Sequence, residues 1–177
     1  MRKFGGVLLA VAMVLPIGVI TAGPAGAATG LTCTKLGGTV TWSPPVPKTG
    51  AGHSNITLKA TLSACTGTAK IVSGVITLPV IKTAPPRNCT TLATKPPTLT
   101  QTGGSIMWAT TKTKSTLGKI TLAPVPKTLA TYKATAKVNA GPFIGKTLTM
   151  TSTFTPNGCP IKSAKLALKK GTKAIIG

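Results

Sequence analysis

Ile56-Thr57-Leu58-Lys59-Ala60-Thr61-Leu62 alternates apolar and polar residues at every step. A period of two places Ile56, Leu58, Ala60 and Leu62 on one face of an extended strand and the Thr and Lys side chains on the other. The same alternation returns in Tyr132-Lys133-Ala134-Thr135-Ala136-Lys137-Val138 and in Thr147-Leu148-Thr149-Met150-Thr151, continuing to Phe154. Each reads as a half-buried antiparallel strand. Thr39–Trp42, Ile71–Ile81, Ser105–Thr110 and Leu117–Leu122 are further candidates. Pro44-Pro45, Pro85-Pro86, Pro96-Pro97, Gly103-Gly104 and Gly141-Pro142 punctuate the spaces between them. Breaks at this density predict an all-β fold, an antiparallel sandwich or barrel of about eight strands. No long helix fits before Pro160.

The N-terminus has the pattern of an export signal. Arg2 and Lys3 precede an apolar stretch from Val7 to Ile20, and Ala25-Gly26-Ala27 matches the small-residue cleavage site. Residues 1–27 are therefore predicted to be a cleavable signal peptide and 28–177 a single secreted β-domain. Gly30 stands where a lipoprotein signal would carry Leu before Cys33. No later segment has the ~18 consecutive apolar residues that a membrane-spanning helix needs. Cys33, Cys65, Cys89 and Cys159 all lie in the mature part, and an even count in an exported chain predicts two disulfides. If the strand after Cys33 pairs antiparallel with the strand ending at Cys65, those two sulfurs meet. That geometry favours Cys33–Cys65 and, by remainder, Cys89–Cys159. No C-x-x-C pair supports the competing four-cysteine zinc site.

Charge narrows the function classes. The 177 residues include 21 Lys and Arg, one His, and no Asp or Glu. Without side-chain carboxylates there is no glycosidase pair, aspartic-protease dyad or complete Ser-His-Asp triad. An acidic Ca²⁺ or Mg²⁺ site is equally excluded. His53, in the loop Gly50-Ala51-Gly52-His53-Ser54, has no carboxylate to orient it and reads as a solvent-exposed loop residue. Lys48-Thr49-Gly50 matches one motif of penicillin-binding enzymes, but the Ser-x-x-Lys and Ser-Asp-Asn partners are missing. The chain is read as non-enzymatic and as holding no cofactor or metal.

Removing Arg2 and Lys3 with the signal leaves 19 of the 21 basic side chains on 150 residues. None can form a side-chain salt bridge, so each is either solvated or meets an external anion. Net charge of this size attracts polyanions over about one Debye length. The expected partners are anionic polymers, such as cell-wall polymer or nucleic acid bound non-specifically, or an acidic lipid surface. The few aromatics and the lack of a recognition helix exclude sequence-specific nucleic-acid reading. The densest basic run is Lys162, Lys165, Lys169, Lys170 and Lys173, followed by Lys112 and Lys114 with Lys119. The C-terminal run fits either a membrane-surface helix or a terminal strand. Thr147, Thr149, Thr151, Thr153 and Thr155 should share one strand face, with a spacing of ~6.5–7 Å that could meet a regular surface.

Two halves of the chain echo each other. Gly37-Gly38-Thr39-Val40-Thr41-Trp42 returns as Gly103-Gly104-Ser105-Ile106-Met107-Trp108, Pro45-Val46-Pro47-Lys48-Thr49 as Pro124-Val125-Pro126-Lys127-Thr128, and Lys59-Ala60-Thr61 as Lys133-Ala134-Thr135. The echo reads either as two similar β-units, with Trp42 and Trp108 in equivalent inward positions, or as chance in a chain rich in Thr, Lys, Pro and Ala. The signal end, the "GGTVTWSPP" opening, "LSACTG", "NAGPFIGKT" and "NGCP" together resemble the small exported β-rich proteins of actinobacteria, most without assigned function. That resemblance implies export and a β fold, and no activity. The resulting expectation is a secreted or envelope-associated cationic β-domain that binds anionic polymers or surfaces electrostatically. The alternative is a cationic antimicrobial or toxin-like protein acting on anionic membranes.

Overall fold

The computed structural model describes residues 30–67, 70–82, 86–126 and 130–177. The predicted export signal and its cleavage site lie outside the described residues. Among the described residues eleven strands and one short helix follow one another: β1 Leu31–Val46, β2 Asn55–Gly67, β3 Gly74–Thr77, β4 Ile81–Lys82, α1 Cys89–Thr94, β5 Leu99–Thr102, β6 Ser105–Trp108, β7 Lys114–Pro124, β8 Thr131–Ala140, β9 Thr147–Pro156, β10 Ile161–Leu168 and β11 Ala174–Ile176. All pairings are antiparallel. The ring runs β1-β2-β3-β6-β7-β8-β9-β10 and closes where β10 returns to β1. Of the two predicted architectures the chain adopts the barrel.

The three remaining strands lengthen the ring. β4 pairs with Asn55-Ile56 of β2 beyond the end of β3, and β5 pairs with Lys119–Leu122 of β7 beyond β6. β11 pairs with the start of β1 and with β9, and so continues the path of β10. Alternation decides which side faces in. Ile56, Leu58, Ala60 and Leu62 of β2 are buried while Thr57, Lys59 and Thr61 are exposed. Ala134, Ala136 and Val138 of β8 and Leu148 and Met150 of β9 follow the same rule. Apolar-in and polar-out is the reverse of a barrel whose outer wall meets lipid. Among the described residues no helix is long and apolar enough to cross a membrane.

Local departures from the sequence reading have physical causes. β1 runs straight through Pro44-Pro45, which the sequence suggests as a break. The chain bulges there: Thr41 faces Ser163 and the next pair is Val46 with Ile161, so the prolines never have to donate to β10. The predicted strand Thr39–Trp42 is thus the middle of a longer one that already contains Cys33. Cys33 sits directly opposite Cys65 in register, and both disulfides, Cys33–Cys65 and Cys89–Cys159, form as the strand geometry favours. The predicted span Ile71–Ile81 is divided, because Pro79 cannot continue the ladder between β3 and β4. The C-terminal lysine run forms β10, a turn and β11, so the strand alternative holds and the helical one does not.

The ring also tests the internal echoes. Lys59-Ala60-Thr61 and Lys133-Ala134-Thr135 lie on β2 and β8, four strands apart and across the barrel from each other. Val46 and Val125 close β1 and follow β7, again four strands apart. The Gly-Gly-x-x-x-Trp echo does not fit that symmetry: it relates β1 to β6, three strands apart and opposite in direction. Trp42 and Trp108 both point inward, yet near opposite ends of the barrel, so they are not equivalent positions. The domain is one continuous ring.

Trp108 fixes the end remote from α1. It is fully buried, its indole Nε1–H donates to Ser115 Oγ at 2.9 Å, and Ser115 Oγ donates to the Pro142 carbonyl at 2.6 Å. Phe143 meets it edge to face with centroids 5.5 Å apart. Across the sheet the partner of Trp108 is Gly74, whose missing side chain leaves room for the indole ring.

Candidate functional site

Two features emerge from this frame: a cationic outer wall and an apolar cavity at the α1 end. The wall follows from the alternation. Every described lysine is exposed except Lys146 and Lys169, which are half-buried. Lys112 and Lys114 flank the β6–β7 hairpin, and Lys119 projects from β7 opposite Thr102. Lys162 and Lys165 lie on β10, while Lys169, Lys170 and Lys173 lie around the turn to β11. β6 and β10 are four strands apart, so the structure places these two groups on opposite sides of the barrel. Lys133 and Lys137 of β8 and Lys59 of β2 occupy the wall between them. The charge surrounds the barrel.

The five threonines of β9 share the outward face, as their spacing predicts, and all are exposed or half-buried. By register, Thr100, Thr121, Thr135 and Thr149 continue the pattern across β5, β7, β8 and β9. Lys133 opposes Thr151 and Lys137 opposes Thr147, so this face is a mosaic of hydroxyls and ammonium groups.

The cavity arises because, among the described residues, β4 pairs only with β2 and β5 only with β7, so the wall parts between them. Residues 86–98, between β4 and β5 in the chain, form a strap across this opening, built on α1. Asn88 caps the helix: its side chain accepts from the Thr91 backbone N–H at 2.9 Å, and the Thr91 hydroxyl accepts from the Asn88 backbone N–H at 3.0 Å. The Gly52–Arg87 bridge and the Cys89 N–H donating to the Pro47 carbonyl at 3.0 Å fasten the strap to the β1–β2 loop. The Cys89–Cys159 disulfide fastens it to the β9–β10 turn. Beneath it lies a cavity of about 240 Å³, walled by Trp42, Leu58, Leu92, Leu99, Tyr132 and Phe154 among others.

Polar groups at this cavity are few. The Tyr132 ring meets Phe154 edge to face at 5.0 Å, and burial pushes its phenol up to about 12, against the opposing pull of the Arg87 guanidinium. Trp42 Nε1 and Arg87 Nε are buried and have no hydrogen-bond partner among the described residues. The Arg87 Nη1 donates to the Lys95 carbonyl at 3.3 Å. His53 lies exposed in the β1–β2 loop, away from any cluster of metal-ligating side chains among the described residues.

Sequence reasoning singled out neither Trp42 nor Arg87 as a functional residue. The strap has one legible signal, an Asn three residues before a hydroxyl-bearing Thr at a helix start, with Thr in place of the usual Glu or Gln. Protein-family models, curated proteins and solved structures give no match to the chain.

Proposed function

We propose that the protein is a non-enzymatic exported barrel that associates electrostatically, and without sequence preference, with anionic polymers or surfaces at the cell envelope. The observation that supports this most directly is the outward placement of lysines around a closed ring in a chain with no Asp or Glu. Such a surface has no internal counter-charge and presents several ammonium groups whichever way it meets a polyanion. The two disulfides suit an oxidising, extracytoplasmic compartment. The resemblance to exported actinobacterial proteins belongs to the same proposal.

Retention of the mature, oxidised protein on anionic wall polymer, DNA and an uncharged polysaccharide across a salt gradient tests it. Five lysines on one side, for example Lys133, Lys137, Lys165, Lys169 and Lys173, imply a slope of about −4 to −5 in log affinity against log salt on duplex DNA. Affinity then falls several hundredfold between about 50 and 200 mM salt. Salt-insensitive retention on the neutral polysaccharide would transfer the function to the threonine-bearing face. The alternative, attack on anionic membranes, loses its amphipathic C-terminal helix because Lys162–Lys173 form strands and a turn. Leakage of dye from anionic vesicles tests it directly.

A further inference from the structure

We propose that the strapped cavity binds an uncharged, hydrocarbon-like molecule of about ten carbons, selected by its size and its lack of charge. This goes beyond the outer wall's role, since a polymer cannot enter a space of about 240 Å³. Scaled from the ~150 Å³ apolar cavity that holds one benzene, that space suits about ten carbon atoms.

The two ends of the barrel differ in how they are filled. Protein interiors are close-packed, and voids larger than a water molecule are few. At the remote end Trp108 occupies the space that Gly74 leaves, with Phe143 against it. In the middle, between Ile76, Leu117 and Ala136, about 20 Å³ is free. At the α1 end the side chains stop short of filling the interior, and the cavity remains. The Gly52–Arg87 bridge, the Cys89 N–H bond to the Pro47 carbonyl and the Cys89–Cys159 disulfide hold the strap at the rim. No residue of α1 is buried, and the lining side chains Leu92, Leu99 and Phe154 are half-buried. Apolar surface there stays open to a small molecule.

The wall defines the ligand's chemistry. No Lys, Arg or His is among the described residues that line the cavity. Trp42 lines it, but its indole nitrogen is itself buried and out of a ligand's reach. The other lining side chain able to hydrogen-bond is that of Tyr132, a phenol uncharged at neutral pH. An ion entering this space would give up its hydration with no counter-charge to replace it. A hydrocarbon leaves water at a gain and meets aliphatic and aromatic carbon on every side. The outer lysines favour anions, so the wall and the cavity rank a neutral and an anionic ligand in opposite orders.

Calorimetric titration of the mature, disulfide-bonded protein with naphthalene, 4-phenyl-2-butanone and 3-phenylpropanoate tests the proposal, in about 0.15 M salt. The ketone and the carboxylate match in heavy atoms and differ in a methyl group against a charged oxygen. Naphthalene should bind with one equivalent, and the ketone should bind at least tenfold tighter than the carboxylate. Raising the salt to about 1 M should not weaken naphthalene binding. Leu92→Trp, which fills the cavity from α1, should lower naphthalene affinity at least tenfold while the circular dichroism stays that of the parent. In the unaltered protein, nuclear Overhauser contacts from naphthalene to the Leu92 and Leu99 methyl groups should locate it, whether or not that variant folds. No saturable binding of naphthalene, a carboxylate bound as tightly as the ketone, undiminished binding in folded Leu92→Trp, or contacts confined to methyl groups outside the lining would each overturn it. A polymer-binding defect would leave all these results intact, so the two proposals fail separately.

Discussion

Gly74→Ala is the sharpest test of the packing at the Trp108 end. A Cβ at position 74 would lie 2.6 Å from Trp108 Cζ3 and 2.9 Å from Ile106 Cγ2, with Trp108 Cε3 nearer still. The indole cannot swing clear, because Ser115 accepts from its Nε1–H and Phe143 lies against another side. Overpacking of this kind costs about 1–3 kcal/mol, and a rigid aromatic neighbour places the cost near the upper end. Trp108→Leu alone should cost about 3–4 kcal/mol through the cavity it leaves. In that background the new methyl has space, and Gly→Ala within a strand then gains about 0.5–1 kcal/mol. The double-mutant cycle should therefore show a coupling of about 3–4 kcal/mol between two residues paired across β3 and β6. Urea denaturation followed by circular dichroism reads it without relying on tryptophan emission. At a slope of about 2 kcal/mol/M, Gly74→Ala should lower the midpoint by about 1.5 M. A midpoint within about 0.25 M of the parent, or an equal loss in both backgrounds, would refute the steric account.

Other expectations follow from charge and covalent links. With no Asp or Glu in the chain, no side-chain carboxylate titrates between about pH 2 and 5. Unfolding midpoints at constant ionic strength should be flat there, and a steep fall near pH 4 would contradict the reading. At alkaline pH the buried Tyr132 phenol is raised from 10.0 to about 12, so the unfolded chain loses that proton first. Stability should then fall as pH rises from about 10 to 12, by about 2–3 kcal/mol in all, and Tyr132→Phe should remove that component from urea midpoints measured across the range. Replacing Cys89 and Cys159 by Ser opens a link spanning 70 residues and should cost about 4 kcal/mol on loop-closure grounds. It should also loosen the strap, raising hydrogen exchange at α1 above that at β7. Replacing Lys112, Lys114 and Lys119 by Ser should weaken DNA retention about as much as replacing Lys165, Lys169 and Lys173, because the charge surrounds the barrel. A loss confined to one set would localise the binding face.

What the sequence made legible is what depends on neighbours along the chain. Ile56–Leu62 announces its strand and its buried face because alternation is a local property, and β8 and β9 announce theirs the same way. The disulfide pairing was accessible because one strand pairing, β1 with β2, suffices to place Cys33 against Cys65. Ring closure was not accessible, since β10 meets β1 across more than a hundred residues and nothing local marks that contact. Pro44-Pro45 misled because a bulge in a long strand carries the same residues as a turn. The strap was missed because six helical residues are too few to show an apolar period, and its only local sign is the Asn88–Thr91 cap. Trp42 was placed on an inward face, but that its N–H is buried without an acceptor among the described residues is a property of the assembled barrel. Arg87 is one of 19 basic side chains in the mature sequence, and the burial of its Nε without an acceptor among the described residues is likewise visible only in the folded chain.

A chain with charge of one sign must stabilise its fold without ion pairs, and the arrangement of this barrel shows how. Closing the ring leaves no long unpaired edge, and the lysines that point outward would repel a second copy approaching strand to strand. Self-repulsion among them opposes compaction, so the covalent links carry more weight where the wall is weakest. Cys89–Cys159 spans the end at which β4 and β5 part, and Cys33–Cys65 secures the start of β1, where its partner strand changes from β10 to β11. The outer wall has excess positive charge with no geometry to select a partner, which suits association with irregular polyanions. The strapped end, by contrast, holds a hydrocarbon-walled cavity with no lysine in its lining. Salt acts on both consequences of that charge: screening weakens attachment of polyanions to the wall and relieves the repulsion that opposes folding.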